Sequence, residues 1–117
     1  MAAPIRILIV EDEPLIAMML EDYLESMGKQ VAGTADMVAP ALELIAAGGI
    51  DAAILDVNLR GGERSWAVAD ALAERGVPFL FATGGSEDGI AERYRDRPTL
   101  AKPFTMDSVA KALDALG

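Results

Sequence analysis

The sequence predicts an α/β fold: one open, doubly wound parallel sheet of five strands with helices on both faces. Three observations lead there. Short, nearly continuous apolar runs recur along the chain, as expected of strands covered on both sides. Stretches with apolar residues at helical spacing separate them. No repeat, low-complexity tract or linker interrupts the alternation over the 117 residues, so a single domain spanning 1–117 is expected.

The first strand is residues 5–10 (IRILIV), where Arg6 is the one polar interruption. Pro14 suits the first turn of a helix, because its missing N–H leaves no bond unmade there. Ile16, Leu20, Tyr23, Leu24 and Met27 then share one apolar face, and Gly28 ends the helix. Residues 31–33 form a weaker strand. Val38, Leu42 and Ile45 are expected to face the core from a second helix, with Pro40 near its start and Gly48 and Gly49 as its stop. Residues 52–55 are the third strand. Val68, Ala71 and Leu72 are the expected inner face of a third helix, closed by Gly76. Residues 79–82 are the fourth strand, and 99–101 the weakest, fifth one. Met106, Val109, Leu113 and Leu116 line the last helix, with Thr105 as its N-cap.

Between the last two strands the pattern is poor. Gly84, Gly85 and Gly89 each cost a helix about 0.8–1.0 kcal/mol relative to alanine. Ile90, Ala91 and Tyr94 are too few to pin a long helix by packing. A short or irregular fourth helix follows, of two turns at most, frayed or absent before any modification. Tyr94 is the candidate to pack down when this segment orders, with plain surface exposure as the competing reading. Right-handed crossovers leave few windings, and 2-1-3-4-5 is the commonest order for five strands.

Composition excludes several chemistries. Cysteine and histidine are both absent, which removes disulfides, thiol nucleophiles, zinc–thiolate sites, Ser-His-Asp hydrolysis and any histidine base or ligand. Lys and Arg number 10 against 19 Asp and Glu, a net charge of −9. Such a surface repels nucleic acid and anionic membranes, so neither is an expected partner. The N-terminus lacks the charged region of a signal peptide, and no apolar run approaches a membrane span of roughly 18 residues. A cytoplasmic domain is expected.

In open α/β sheets, sites lie beyond the carboxyl ends of the strands. There the sequence places Glu11 and Asp12 after the first strand, Asp56 after the third, Thr83 after the fourth, and Lys102-Pro103 after the fifth. Singly, each has a plain reading: a helix cap, a turn residue, a loop hydroxyl, a solvated charge, a helix start. Together they are complementary. Carboxylates crowded in one pocket repel, and burying them bare would cost several kcal/mol or force protonation. A hard divalent cation removes that problem, and Mg²⁺ suits an all-oxygen site with room for water and a phosphoryl oxygen. That arrangement serves phosphoryl transfer. Asp56 would be the nucleophile, Lys102 and Mg²⁺ would neutralise phosphoryl charge, and Thr83 would donate to a phosphoryl oxygen afterwards.

This constellation resembles the receiver domain of bacterial two-component response regulators, over the whole chain. The resemblance implies a flavodoxin-like winding, and Asp56 as phosphoryl acceptor. It further implies Thr83 as switch hydroxyl, Lys102 as the site lysine, and Glu11 and Asp12 as the acidic pair. Asn58 stands where the family uses a main-chain carbonyl as a metal ligand, beside Glu11, Asp12 and Asp56. Lys102-Pro103 matches the family's cis peptide, which X-Pro bonds adopt at about 0.5–1 kcal/mol. Residues 78–85 (PFLFATGG) are similar to the signature of the FAT GUY receivers, often stand-alone and associated with HWE-type kinases. Two departures stand out. The usual aromatic three positions before the lysine is Thr99, and only 18 residues, 84–101, separate Thr83 from Lys102.

The expected function is therefore a phosphorylation-activated switch rather than an enzyme, a stand-alone, monomeric receiver. It would take phosphate from a sensor histidine kinase, or from a phosphotransfer protein, and pass output by protein contact or phosphate relay. Two other classes compete. A small Mg²⁺-dependent phosphohydrolase of the haloacid-dehalogenase type also phosphorylates an Asp, but places Asp-x-Asp after its first strand, where this chain has Glu11-Asp12. A flavodoxin-like FMN carrier needs a phosphate-cradling loop after that strand, where Glu11, Asp12 and Glu13 would repel the phosphate.

Overall fold

Each apolar run stops where its strand must leave the sheet, and that sets the architecture. A computed structural model describes residues 5–83 and 90–116. The elements run β1 (Arg6–Val10), α1 (Pro14–Ser26), β2 (Gln30–Ala35), α2 (Val38–Ala47), β3 (Ala52–Asp56), α3 (Trp66–Glu74), β4 (Phe79–Thr83), β5 (Thr99–Ala101) and α4 (Met106–Ala115). Short 3-10 turns occupy Arg60–Gly62 and Glu92–Tyr94. All the strands pair in parallel in the order β2-β1-β3-β4-β5, as expected for a doubly wound, flavodoxin-like α/β sheet. Register aligns their carboxyl ends: Val10 pairs with Ala35 and Leu55, Asp56 with Ala82, and Thr83 with Ala101.

Alternation along the strands sorts the core into two layers. Leu8, Val10, Ala53, Leu55, Phe79 and Phe81 pack toward α2 and α3, against Ala41, Ile45, Val68, Ala69 and Leu72. Ile7, Ile9, Ala52, Ile54, Leu80 and Leu100 pack toward α1 and α4, against Ala17, Leu20, Leu24, Val109 and Ala112. Burying a large apolar side chain contributes roughly 1.5–3 kcal/mol, and both layers are built of such groups. Truncating Leu72 or Leu20, each fully buried, would cost roughly 2–5 kcal/mol.

Several helix faces differ from expectation. Leu42 is 37% exposed, and the inward face of α2 is instead Ala41 and Ile45 with Val38 and Leu44 beside them. Gly33 gives the reason. A Cβ on it would lie 2.9 Å from a Leu44 methyl, so its absence lets Leu44 settle on β2 and turns the helix that way. On α3, Ala69 takes the buried place assigned to Ala71. On α4, Met106 is exposed and Ala112 is buried, while Leu113 and Leu116 are partly buried. Thr105 caps α4 as expected. Its hydroxyl accepts from Ser108 N at 3.0 Å, and the Ser108 hydroxyl oxygen accepts from Thr105 N at 3.0 Å. Strands β2, β3 and β4 run past their expected ends.

Among the described residues between β4 and β5, only the turn at Glu92–Tyr94 is helical, in line with a short or irregular element. Gly84, Gly85 and Gly89, on which the expected fraying rests, lie outside the described residues. Tyr94 was expected to pack down on ordering. It is already buried, at 6% exposure.

Candidate functional site

The last residues of β3 and β4 and the first residues after β1 and β5 meet at one edge of the sheet. Glu11 follows the buried Val10 directly, and its N–H donates to Ala35 O at 2.9 Å, which holds it beside β2. Asp56 closes β3 and Thr83 closes β4, and both are buried. Lys102 N donates to Thr83 O at 2.9 Å, so β5 delivers the lysine beside the hydroxyl residue. The Lys102-Pro103 peptide is cis.

The ammonium of Lys102 lies 3.2 Å from Glu11 Oε1 and 3.2 Å from Asp56 Oδ2, and so ties the two strand ends together. Asp12 completes the acid group: Glu11, Asp12 and Asp56 each bring a carboxylate oxygen within 4.8 Å of the others. One cation among three acids leaves the pocket over-supplied with negative charge. The titration behaviour follows. Burial first, then the neighbouring Asp56, pushes Glu11 from 4.5 up to about 7. Burial also raises Asp56, although Lys102 opposes it. Burial alone would lower Lys102, but the carboxylates of Asp56 and Glu11 outweigh it and hold the lysine above its ordinary value.

The donor set fits a hard divalent cation. It offers carboxylate oxygens and no nitrogen or sulfur ligand. Glu11 Oε1 is buried and, among the described residues, accepts no well-formed hydrogen bond, its only compensation being the ion pair with Lys102 at 3.2 Å, so a bound cation would complete its solvation. A cleft of about 350 Å³ opens beside the acids, lined by Glu11, Asp12, Pro14, Ala17, Thr34 and the Asp36–Arg60 ion pair. Asn58 sits in the loop after β3, bridged to Arg64. The framing hydrogen bonds run from Leu59 N to Glu63 O and from Ser65 N to Val57 O.

The structure thus gathers Glu11, Asp12, Asp56 and Lys102 directly and sets Thr83 at the adjacent strand end. Sequence reasoning missed a second polar cluster, Asp70 on α3 with Arg93 and Tyr94. Nothing in residue spacing would have paired α3 with the turn after β4.

A sequence model of the response regulator receiver domain matches residues 7–114. The chain belongs to that family. It is similar to SdrG from Sphingomonas melonis Fr1, whose solution structure is 68% identical, with 99% of this chain and 98% of that one covered and a TM-score of 0.90. The BeF3-activated conformation of SdrG from Pseudomonas melonis Fr1 superposes with a TM-score of 0.84 at the same identity and coverage. The transcriptional regulatory protein PdtaR of Mycobacterium tuberculosis is 32% identical over 116 residues, 97% of this chain and 57% of PdtaR. The chain thus spans little more than half of that curated relative. As a receiver domain, it is a phosphorylation-operated signalling module rather than an enzyme. Among the described residues, no helix is long and apolar enough to cross a membrane.

Proposed function

We propose that Asp56 is the phosphoryl acceptor of this receiver, taking the group from a phosphohistidine of a sensor histidine kinase, of HWE type, or of a phosphotransfer protein. The observation that supports this reading best is Lys102, whose ammonium reaches both Asp56 and Glu11 while Asp12 completes the acid group. An oxygen of Asp56 attacks phosphorus, the P–N bond of the donor breaks, and its electron pair returns to the imidazole. Lys102 offsets the charge on the phosphoryl oxygens. The carboxylates of Glu11, Asp12 and Asp56, with the main-chain carbonyl of Asn58, would hold Mg²⁺, which supplies charge neutralisation to the transferring group when bound. Thr83 then donates its hydroxyl to a phosphoryl oxygen.

The resemblance of residues 78–85 to the FAT GUY signature supports a place among those receivers. Its place is a cytoplasmic, monomeric signalling unit, with residues 1–117 as one receiver and its output carried by protein contact or phosphate relay. Incubation with acetyl phosphate and Mg²⁺, followed by intact mass, tests the site. One phosphoryl group should be gained, and lost in Asp56→Asn or with excess chelator. Wild-type labelling that persists in the variant refutes the assignment.

A further inference from the structure

The turn after β4 is fastened to α3 by an arrangement the phosphoryl site does not use. The Tyr94 hydroxyl donates to Asp70 Oδ1, and Arg93 Nη2 reaches both Asp70 oxygens at 3.1 Å. The Tyr94 ring is buried edge-on to Phe79 at 5.4 Å and tilted against Phe81 at 5.9 Å. Arg97 closes the other side, its guanidinium 4.2 Å over the Phe79 ring. A buried tyrosine whose hydroxyl meets a carboxylate is fixed at both ends, by area and by a charge-assisted hydrogen bond.

Those contacts bear on Thr83 through the alternation of β4. Phe79 and Phe81 lie on the α2/α3 side of the sheet, and Thr83 is the next residue on that side. Asp56 falls on the opposite side, continuing the row of Ala52 and Ile54. A Thr83 hydroxyl that moves toward a phosphoryl group on Asp56 must therefore turn the end of β4 away from the face on which Tyr94 is stacked. We infer that Tyr94, held by Asp70 and Arg93, is a positioning residue that keeps the Thr83 end of β4 in its unphosphorylated arrangement and opposes switching. This inference rests on the roles given above to Asp56 and Thr83. A contact made better in one state than in the other shifts the equilibrium by the difference. Weakening this one must tighten every ligand of the switched state.

The test is the affinity for beryllofluoride with Mg²⁺, followed by fluorine NMR of the bound group and by the amide shift of Thr83. Tyr94→Phe keeps the ring and removes only the hydroxyl. It should bind the mimic about tenfold more tightly, the effect of one hydrogen bond to a charged group. Arg93→Gln, at an exposed position that does not endanger folding, should tighten it about threefold. Asp51→Ala, which removes the acceptor of Arg6 N at the far edge of the sheet, should leave it unchanged. A merely structural Tyr94 would give weaker binding or none of these changes. Unchanged or weaker binding in both variants, with wild-type binding intact, overturns the role of Tyr94 alone. A wild-type chain that does not bind the mimic, or an Asp56→Asn variant that still does, overturns the reading of the site as well.

Discussion

Replacing Glu11 by glutamine should stabilise the metal-free protein and flatten its pH dependence. Glu11 is 3% exposed and faces Asp56 and Asp12 with Lys102 as the only cation at hand among the described residues. Burial and Asp56 carry it from 4.5 up to about 7. Because the fold raises it, the folded chain binds more protons than the unfolded one between those values. The stability that protonated Glu11 confers is complete below pH 4.5 and is lost as the pH rises through about 7. The displacement bounds that loss at roughly 3 kcal/mol, and Asp56 titrates alongside in the same direction. Glutamine is shaped like the protonated carboxyl and never ionises. In excess chelator at pH 8, Glu11→Gln should exceed the wild type by about 2 kcal/mol, and the two should converge near pH 5. Urea denaturation followed by far-ultraviolet circular dichroism at pH 5, 6, 7 and 8 measures this. Mg²⁺ should reverse the order, since a ligand at a hundredfold excess over its Kd stabilises by about 2.7 kcal/mol and the variant has lost a ligand. Parallel pH profiles for the two proteins in chelator, or a variant less stable at pH 8, would refute the electrostatic account.

Further outcomes follow from neighbouring groups. Lys102→Ala leaves two buried carboxylates without their cation, so in chelator at pH 8 it should lose about 3 kcal/mol in the same denaturation assay. It should still accept phosphate from acetyl phosphate with Mg²⁺, while the amide shifts of residues 90–97 respond less than in the wild type. Asp12→Ala should abolish Mg²⁺-dependent labelling by intact mass, yet be no less stable than the wild type in chelator, because it relieves repulsion. Thr105→Ala removes the capping box of α4 and should cost about 1 kcal/mol by urea denaturation without altering labelling.

The site was legible because strand ends announce themselves: Glu11, Asp56, Thr83 and Lys102 are the polar residues at which apolar runs stop. The number and succession of strands followed from the same runs, while their order in the sheet rested on the handedness of crossovers and the commonest winding. Helix rotation was harder to read. Whether Leu42 or Leu44 turns inward depends on a missing Cβ at Gly33, a residue of another element, which no periodicity within α2 can reveal. Alanines hid two further faces: Ala69 and Ala71 carry the same hydrophobic signal, and Ala112 carries less than the exposed Met106. The Asp70–Tyr94 contact spans 24 positions and joins a helix to an irregular turn, so neither period nor motif points to it.

The ring of Trp66 stands edge-on to Phe81, with centroids 5.5 Å apart, and Phe81 in turn touches Phe79 and Tyr94. Trp66 is the sole tryptophan of the chain. The protein therefore carries its own optical probe, seated one ring away from β4 and two from the turn that follows it. A shift of the Phe81 ring changes the surroundings of the only indole, so its emission reads the α2/α3 layer in unlabelled protein. Asp56, on the other side of the sheet, reaches that signal through the backbone of β3 and β4 and through the loop in which Ser65 N donates to Val57 O. Emission that changes when the acids are neutralised would time, in a stopped-flow cuvette, how fast the disturbance crosses the sheet.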